Sequence, residues 1–206
     1  MDGGSVPHIP VQAIDDIIRA GRRMDQRGWV PATAGNISVR IGGPRIAITR
    51  SGGHKGFLDP FSVIEVDSGG VVITPGAKPS AETLLHCQIY RRFPDAGAVL
   101  HGHSVAGTVL SLATAAPEIS FTGYEVQKIF AGQTTHEATL HLPLVDNDQD
   151  MGRLAEAVEP RLADAAMGYL IRGHGVYVWG PDMDLALARL EGLEFLLACA
   201  LERRRT

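Results

Sequence analysis

The spacing of hydrophobic positions along this chain changes several times, and each change marks an element. Val11, Ile14, Ile17, Ile18 and Met24 recur at helical spacing, and Gly28 is placed to stop that helix. The period then shortens to two. Residues 37–41 and 46–49, parted by Gly42-Gly43-Pro44-Arg45, predict a hairpin. A second hairpin is expected from 62–66 and 71–74, joined through Asp67-Ser68-Gly69-Gly70. Ser80 stands where it could N-cap a helix from Ala81 to about Arg92, ended by Pro94. A strand over 98–103, a helix over 105–115 and a strand over 140–145 follow. Next comes a helix over 152–166 that Pro160 should break or kink. Residues 169–171 and 176–179 read as strands flanking the Gly173-His174-Gly175 turn. The last helix runs from about Met183 to Arg203, with Leu185, Leu190, Leu193, Leu196 and Leu197 on its apolar face.

Helices interspersed with hairpins point to one α/β domain over residues 1–206, with many antiparallel pairs in its sheet. A strictly doubly wound parallel sheet would not contain such hairpins. A chain of 206 residues can bury a substantial core, and 45% hydrophobic with 20% charged residues is ordinary globular composition. The net charge of −4 carries no polyanion signature, so no nucleic-acid partner is expected. The run Arg203-Arg204-Arg205 reads as a solvated helix end, where cations are favoured. Met1-Asp2-Gly3-Gly4-Ser5 lacks the basic and apolar regions of a signal peptide. The apolar stretch 193–201 is interrupted by Glu194 and too short to span a bilayer. Cys87 and Cys199 make no disulfide framework and read as buried thiols, which makes a reducing cytoplasm the default expectation.

The chemistry concentrates around His101-Gly102-His103, at the end of the apolar run 98–100. In a strand, side chains two residues apart share a face, with Cα atoms roughly 6.6 Å apart, so two imidazoles can reach one divalent ion. Eight histidines produce some such pairs by chance, and a pair of satisfied core histidines is the competing reading. His174 in its glycine-rich turn is a third candidate, and Glu82 and Glu125 add carboxylates. Three imidazoles with carboxylates describe a catalytic metal site with an open coordination position. A glutamate such as Glu82 in a first helical turn is also favoured by the helix dipole without any catalytic role. Gly35-Asn36, Ser51-Gly52 and Ser80 fall in turns, at strand ends or at a helix start, where backbone N–H groups can converge on an anion. Each glycine is equally explained by a turn that needs positive φ.

The order Pro31-Ala32-Thr33-Ala34-Gly35-Asn36-Ile37-Ser38, Ser51-Gly52, Pro79-Ser80-Ala81-Glu82, His101-Gly102-His103 and Gly173-His174-Gly175 resembles the class II aldolase/adducin-head family. The resemblance runs from about residue 11 to the C-terminus. The stretches 28–33, 51–56, 123–128, 146–150 and 170–175 are similar to a dehydratase branch of that family. It implies a three-layer α/β/α fold with a mixed, largely antiparallel central sheet. It also implies one Zn2+ per subunit and a homotetramer with active sites near subunit interfaces. Carried onto matching positions, His101, His103 and His174 become the metal ligands, Glu125 the preferred acid/base and Glu82 its partner. Gly35, Asn36, Ser51, Gly52, Lys55 and Ser80 are implied to surround a substrate phosphate. His54, His86, His136 and His141 match no ligand position. The activity implied is removal of water from a small ketose phosphate. Aldol cleavage of a sugar phosphate and pentulose-phosphate epimerisation are the enzymatic alternatives, and an adducin-like interaction domain the non-enzymatic one.

Overall fold

A computed structural model describes residues 9–205, so the segment Met1–Ser5 lies outside the described residues. From the amino end come α1 (Val11–Gln26), β1 (Asn36–Gly42), β2 (Arg45–Thr49), β3 (Val63–Val66), α2 (Thr83–Arg92) and β4 (Ala98–Gly102). They are followed by α3 (Val105–Ala113), β5 (Glu118–Phe121), β6 (Leu140–Val145), α4 (Met151–Val158), β7 (Tyr169–Ile171), β8 (Val176–Gly180) and α5 (Met183–Arg203). Among the described residues eight strands form one sheet in the order β3-β2-β1-β4-β8-β7-β6-β5. Among the described residues only β6 and β7 run parallel; every other neighbouring pair is antiparallel.

Helices cover both faces, giving the three layers. Ile17, Met24, Leu100, Leu110, Leu190 and Leu193 belong to the core under α1, α3 and α5. Ile48, Leu85, Ile89, Leu154, Val158 and Tyr177 belong to the core under α2 and α4. Burying each such side chain contributes about 1.5–3 kcal/mol. Strand β4 shows how the sheet aims its chemistry. Ala98 and Leu100 enter the first core and Val99 the second, and His101 follows Val99 onto the second face. Among the described residues no helix is long and apolar enough to cross a membrane.

Three expectations need correction. The second hairpin lacks its second strand: residues 71–74 fold back on β3 through an isolated bridge from Val72 to Val66 and a bond from the Ile73 N–H to Glu65 O at 2.9 Å. Asp67 turns the chain by accepting from the N–H groups of Gly69 and Val71, and Thr74 Oγ1 takes the Glu65 N–H at 2.8 Å. The helix after Ser80 begins at Thr83, with no side-chain cap. Ser80 spends its hydroxyl on the Glu82 carboxylate at 3.0 Å instead of on a helix amide. Cys199 is half-buried, whereas Cys87 is buried; both are free thiols. Pro160 acts as expected: α4 stops at Val158 and a 3₁₀ turn, Glu159–Asp164, takes over with the proline in its first turn. Strand β5 and a 3₁₀ turn at Glu125–Ile129 carry no clear period in the hydrophobic pattern.

Candidate metal centre

The site is built at one end of the sheet, where register brings distant segments together. Asn36 opens β1 opposite His101 at the end of β4, and Gly102 pairs with Val176 at the start of β8. The chain leaving β2 bridges at Arg50 to Pro79, and the Ser51 N–H donates to Lys78 O at 3.0 Å. That link carries residues 51–52 alongside the segment that leads through Ser80 to Glu82. The β7–β8 turn delivers His174, held by its own N–H on Ile171 O at 3.1 Å.

Two glycines permit the close approach. A Cβ on Gly175 would lie 2.2 Å from Gly102 O and 3.0 Å from His101 Cε1. Gly35 has φ of 80°, and a Cβ there would lie 2.7 Å from His101 O. His103 falls just beyond the end of β4, and its N–H is tied to Trp29 O at 2.6 Å.

One ligand atom each from Glu82, His101, His103 and His174 lies within 4.8 Å of all the others. The Nε2 atoms of His101 and His103 are 2.9 Å apart. His174 Nε2 is 3.1 Å from Glu82 Oε1, and His101 Nε2 is 4.0 Å from the same oxygen. His101 Nδ1 donates to Val176 O at 2.9 Å, which leaves its Nε2 as a bare lone pair aimed into the cluster. Nitrogens and an oxygen bound to one tetrahedral ion at about 2.0–2.2 Å lie roughly 3.3–3.6 Å from each other, so this donor set fits a divalent cation.

The electrostatics agree. Burial, the neighbouring His103 and then the charge of His174 hold His101 well below the usual imidazole value. Burial and then His174 lower His103 to about 4. Burial alone would raise the Glu82 carboxyl. The His174 hydrogen bond, the charge of His101 and the Ser80 hydroxyl outweigh it and bring Glu82 to about 2. Burial thus favours the neutral form of His101 and His103, the form in which an imidazole can ligate a divalent ion.

The other candidates divide. Lys55 is buried and donates from Nζ to Thr33 O at 2.8 Å and Gly53 O at 2.6 Å. Burial brings it down to about 8, an effect the nearby Glu82 partly offsets. Asn36 is buried with Oδ1 unpartnered, and Gly52 turns with φ of 80°. Glu125 lies elsewhere: it pairs with Lys128 at 2.5 Å and His136 at 3.7 Å, and its side chain is 73% exposed. Among the histidines outside the cluster, His86 is buried against Ser38 and the other three lie near acidic side chains at the surface. Sequence reasoning sets Glu82 at the site as a carboxylate and names only the three histidines as ligands. Its i, i+2 relation to Ser80 carried no metal signal, and only the fold sets it beside His174. The Val176 carbonyl and the Tyr177 ring, which both contact His101, were equally invisible.

The profile of the class II aldolase and adducin N-terminal domain family matches residues 15–201, and the chain belongs to that family, whose enzymes depend on a metal. It is 64% identical over 193 residues to a methylthioribulose-1-phosphate dehydratase of Gluconacetobacter diazotrophicus, covering 94% of each chain. It is also 64% identical over 207 residues to the enzyme of that name from Granulibacter bethesdensis, covering 98% of this chain and 96% of the other. Among solved structures it is similar to L-fuculose-1-phosphate aldolase of Thermus thermophilus. There the TM-score is 0.74 at 25% identity, covering 94% of this chain and 95% of that one.

Proposed function

We propose that this chain dehydrates 5-(methylthio)ribulose 1-phosphate to 5-(methylthio)-2,3-dioxopentyl phosphate, a hydro-lyase step of methionine salvage carried out in the cytoplasm. The observation that carries a metal-dependent lyase is the convergence of three imidazoles and Glu82 within 4.8 Å. The dehydratase relatives at 64% identity supply the reaction class.

His101, His103 and His174 would hold the ion, for which we propose zinc, with Glu82 at its edge. When bound there, the ion draws electron density from a ketose oxygen and makes the neighbouring C–H acidic. The chain's own groups do the rest. Gly35, Asn36, Ser51, Gly52 and Ser80 hold the phosphate at the end of the sheet, and Lys55 adds positive charge from beneath. Carboxylates remove the proton from C3 and protonate the departing C4 hydroxyl. Water leaves, and the resulting enol tautomerises to the diketone.

Glu125 is the proposed proton-transfer residue and Glu82 its partner. Among the described residues Glu125 shares no hydrogen bond or ion pair with His101, His103 or His174, so its role requires presentation to the cluster of a neighbouring copy. A homotetramer provides that neighbour. The exposed apolar stripe Val105, Val109 and Leu112 on α3, directly after His103, offers a surface for the contact.

Product mass tests the reaction: dehydration yields the diketone phosphate, whereas aldol cleavage yields an aldehyde and dihydroxyacetone phosphate. Detection of the cleavage products in place of the diketone would transfer the chain to the aldolases. Mixing inactive His101→Ala and Glu125→Gln subunits tests the shared site. Reassembly should restore part of the turnover, and failure of well-formed mixed oligomers to recover any would confine Glu125 to a structural role.

A further inference from the structure

We infer that Tyr177 is a positioning residue whose ring, stacked on the imidazole of His101, fixes the plane in which Nε2 of that histidine meets a divalent cation; this rests on the metal-site reading above. His101 and Tyr177 are direct cross-strand partners in the β4–β8 pair. Their ring centroids are 4.0 Å apart and the planes differ by 14°. Tyr177 is in turn the partner of Tyr169 in β7, with centroids 4.8 Å apart and planes 10° apart. Three parallel rings therefore run across three adjacent strands, all on the face that His101 shares with Val99.

The hydrogen bond from His101 Nδ1 to Val176 O selects the tautomer, but a single bond leaves the ring a broad range of rotation about its terminal torsion. The stack supplies the second restraint. Residues 176 and 177 of one strand thus grip the imidazole at its edge and on its face. His86 closes the Tyr177 ring from the side at 5.6 Å, edge-on. Both tyrosines are fully buried, and neither hydroxyl has a hydrogen-bond partner among the described residues. The ring, then, and not the hydroxyl, performs the positioning.

The test is metal affinity measured by competition with a chromogenic chelator, together with the visible ligand-field spectrum of Co2+ bound to the full-length protein. Both readouts are independent of turnover. Tyr177→Phe should keep affinity within about 3-fold and leave the spectrum unchanged. Tyr177→Leu should weaken Co2+ and Zn2+ by about 10–100-fold, the usual cost of losing an outer-shell partner, and shift the ligand-field bands. Tyr169→Leu, which leaves every contact of His101 in place, should weaken binding less and in the same direction. A folded Tyr177→Leu protein with native affinity and spectrum overturns the inference, as does a Tyr177→Phe protein as impaired as the leucine variant. If Tyr177→Leu does not fold, unchanged affinity in Tyr169→Leu overturns it and a measurable loss supports it. Wild-type protein that binds neither ion removes the metal reading itself, a result distinct from equal binding by wild type and variants.

Discussion

Glu82 and Glu125 are the same side chain in opposite surroundings. Glu82 is inside the fold, 22% exposed, between the Ser80 hydroxyl and the His174 imidazole, and its carboxyl stays anionic despite burial. Glu125 is 73% exposed, and Lys128 then His136 lower its carboxyl from outside. A third glutamate separates the causes. Glu194 on α5 is as buried as a core residue, has Oε1 unpartnered and only the Ser104 hydroxyl for help, and burial pushes it up to about 7. Burial by itself neutralises a carboxylate; burial among imidazoles keeps it charged. A carboxylate that is both buried and anionic belongs beside a cation, and an exposed one needs another surface to acquire a function.

The largest expected effect comes from the buried half of the comparison. His101→Ala should remove bound metal and lower turnover by about 10³-fold or more, read by metal analysis and product mass. Retained metal with near-native turnover would erase the distinction. Glu125→Gln should lower kcat by about 10²–10⁴-fold while metal content and Tm stay at wild-type values. Metal loss in that variant would mean the two glutamates share one site within a chain. Gly175→Ala should cost about 3 kcal/mol or more, because its Cβ would meet the Gly102 carbonyl oxygen at 2.2 Å. Denaturant unfolding measures the loss, and a variant as stable as wild type would show that the His174 turn approaches β4 less closely.

The smallest effect concerns Glu194 and pH. Its folded pKa of about 7 stands above its ordinary 4.5, so the folded chain holds a proton that the unfolded chain has released between those values. Stability from this group is full below pH 4.5 and is lost as pH rises to about 7. Glu194→Gln abolishes that loss. The stability of wild type relative to the variant should fall by up to about 3 kcal/mol across this window. His86 and His103, lowered to about 3 and about 4, act in the opposite direction but cancel in the difference. Parallel pH profiles for the two proteins would show that Glu194 is hydrated.

Much of the fold was legible because its signals are local. The apolar period of α1 and α5, the turn between β1 and β2, and Pro160 each act within a few residues. Residues 71–74 misled because alternation cannot reveal that Asp67 and Thr74 satisfy the backbone with side chains. At the site, His101 and His103 were visible as a local pair. His174 and the turns at 35–36 and 51–52, which we propose hold the phosphate, needed the family's order of motifs. The closeness of Glu82 to the His174 imidazole, and Tyr177 as the ring beneath His101, depend on pairings between segments 75 or more residues apart. No local pattern encodes them.

Metal stoichiometry tests the buried cluster most directly. Protein reconstituted with Zn2+ and freed of excess should carry one ion per chain, and a His101→Ala/His103→Ala/His174→Ala protein treated identically should carry none. An empty wild-type chain, or a triple variant that still holds its ion, would contradict it.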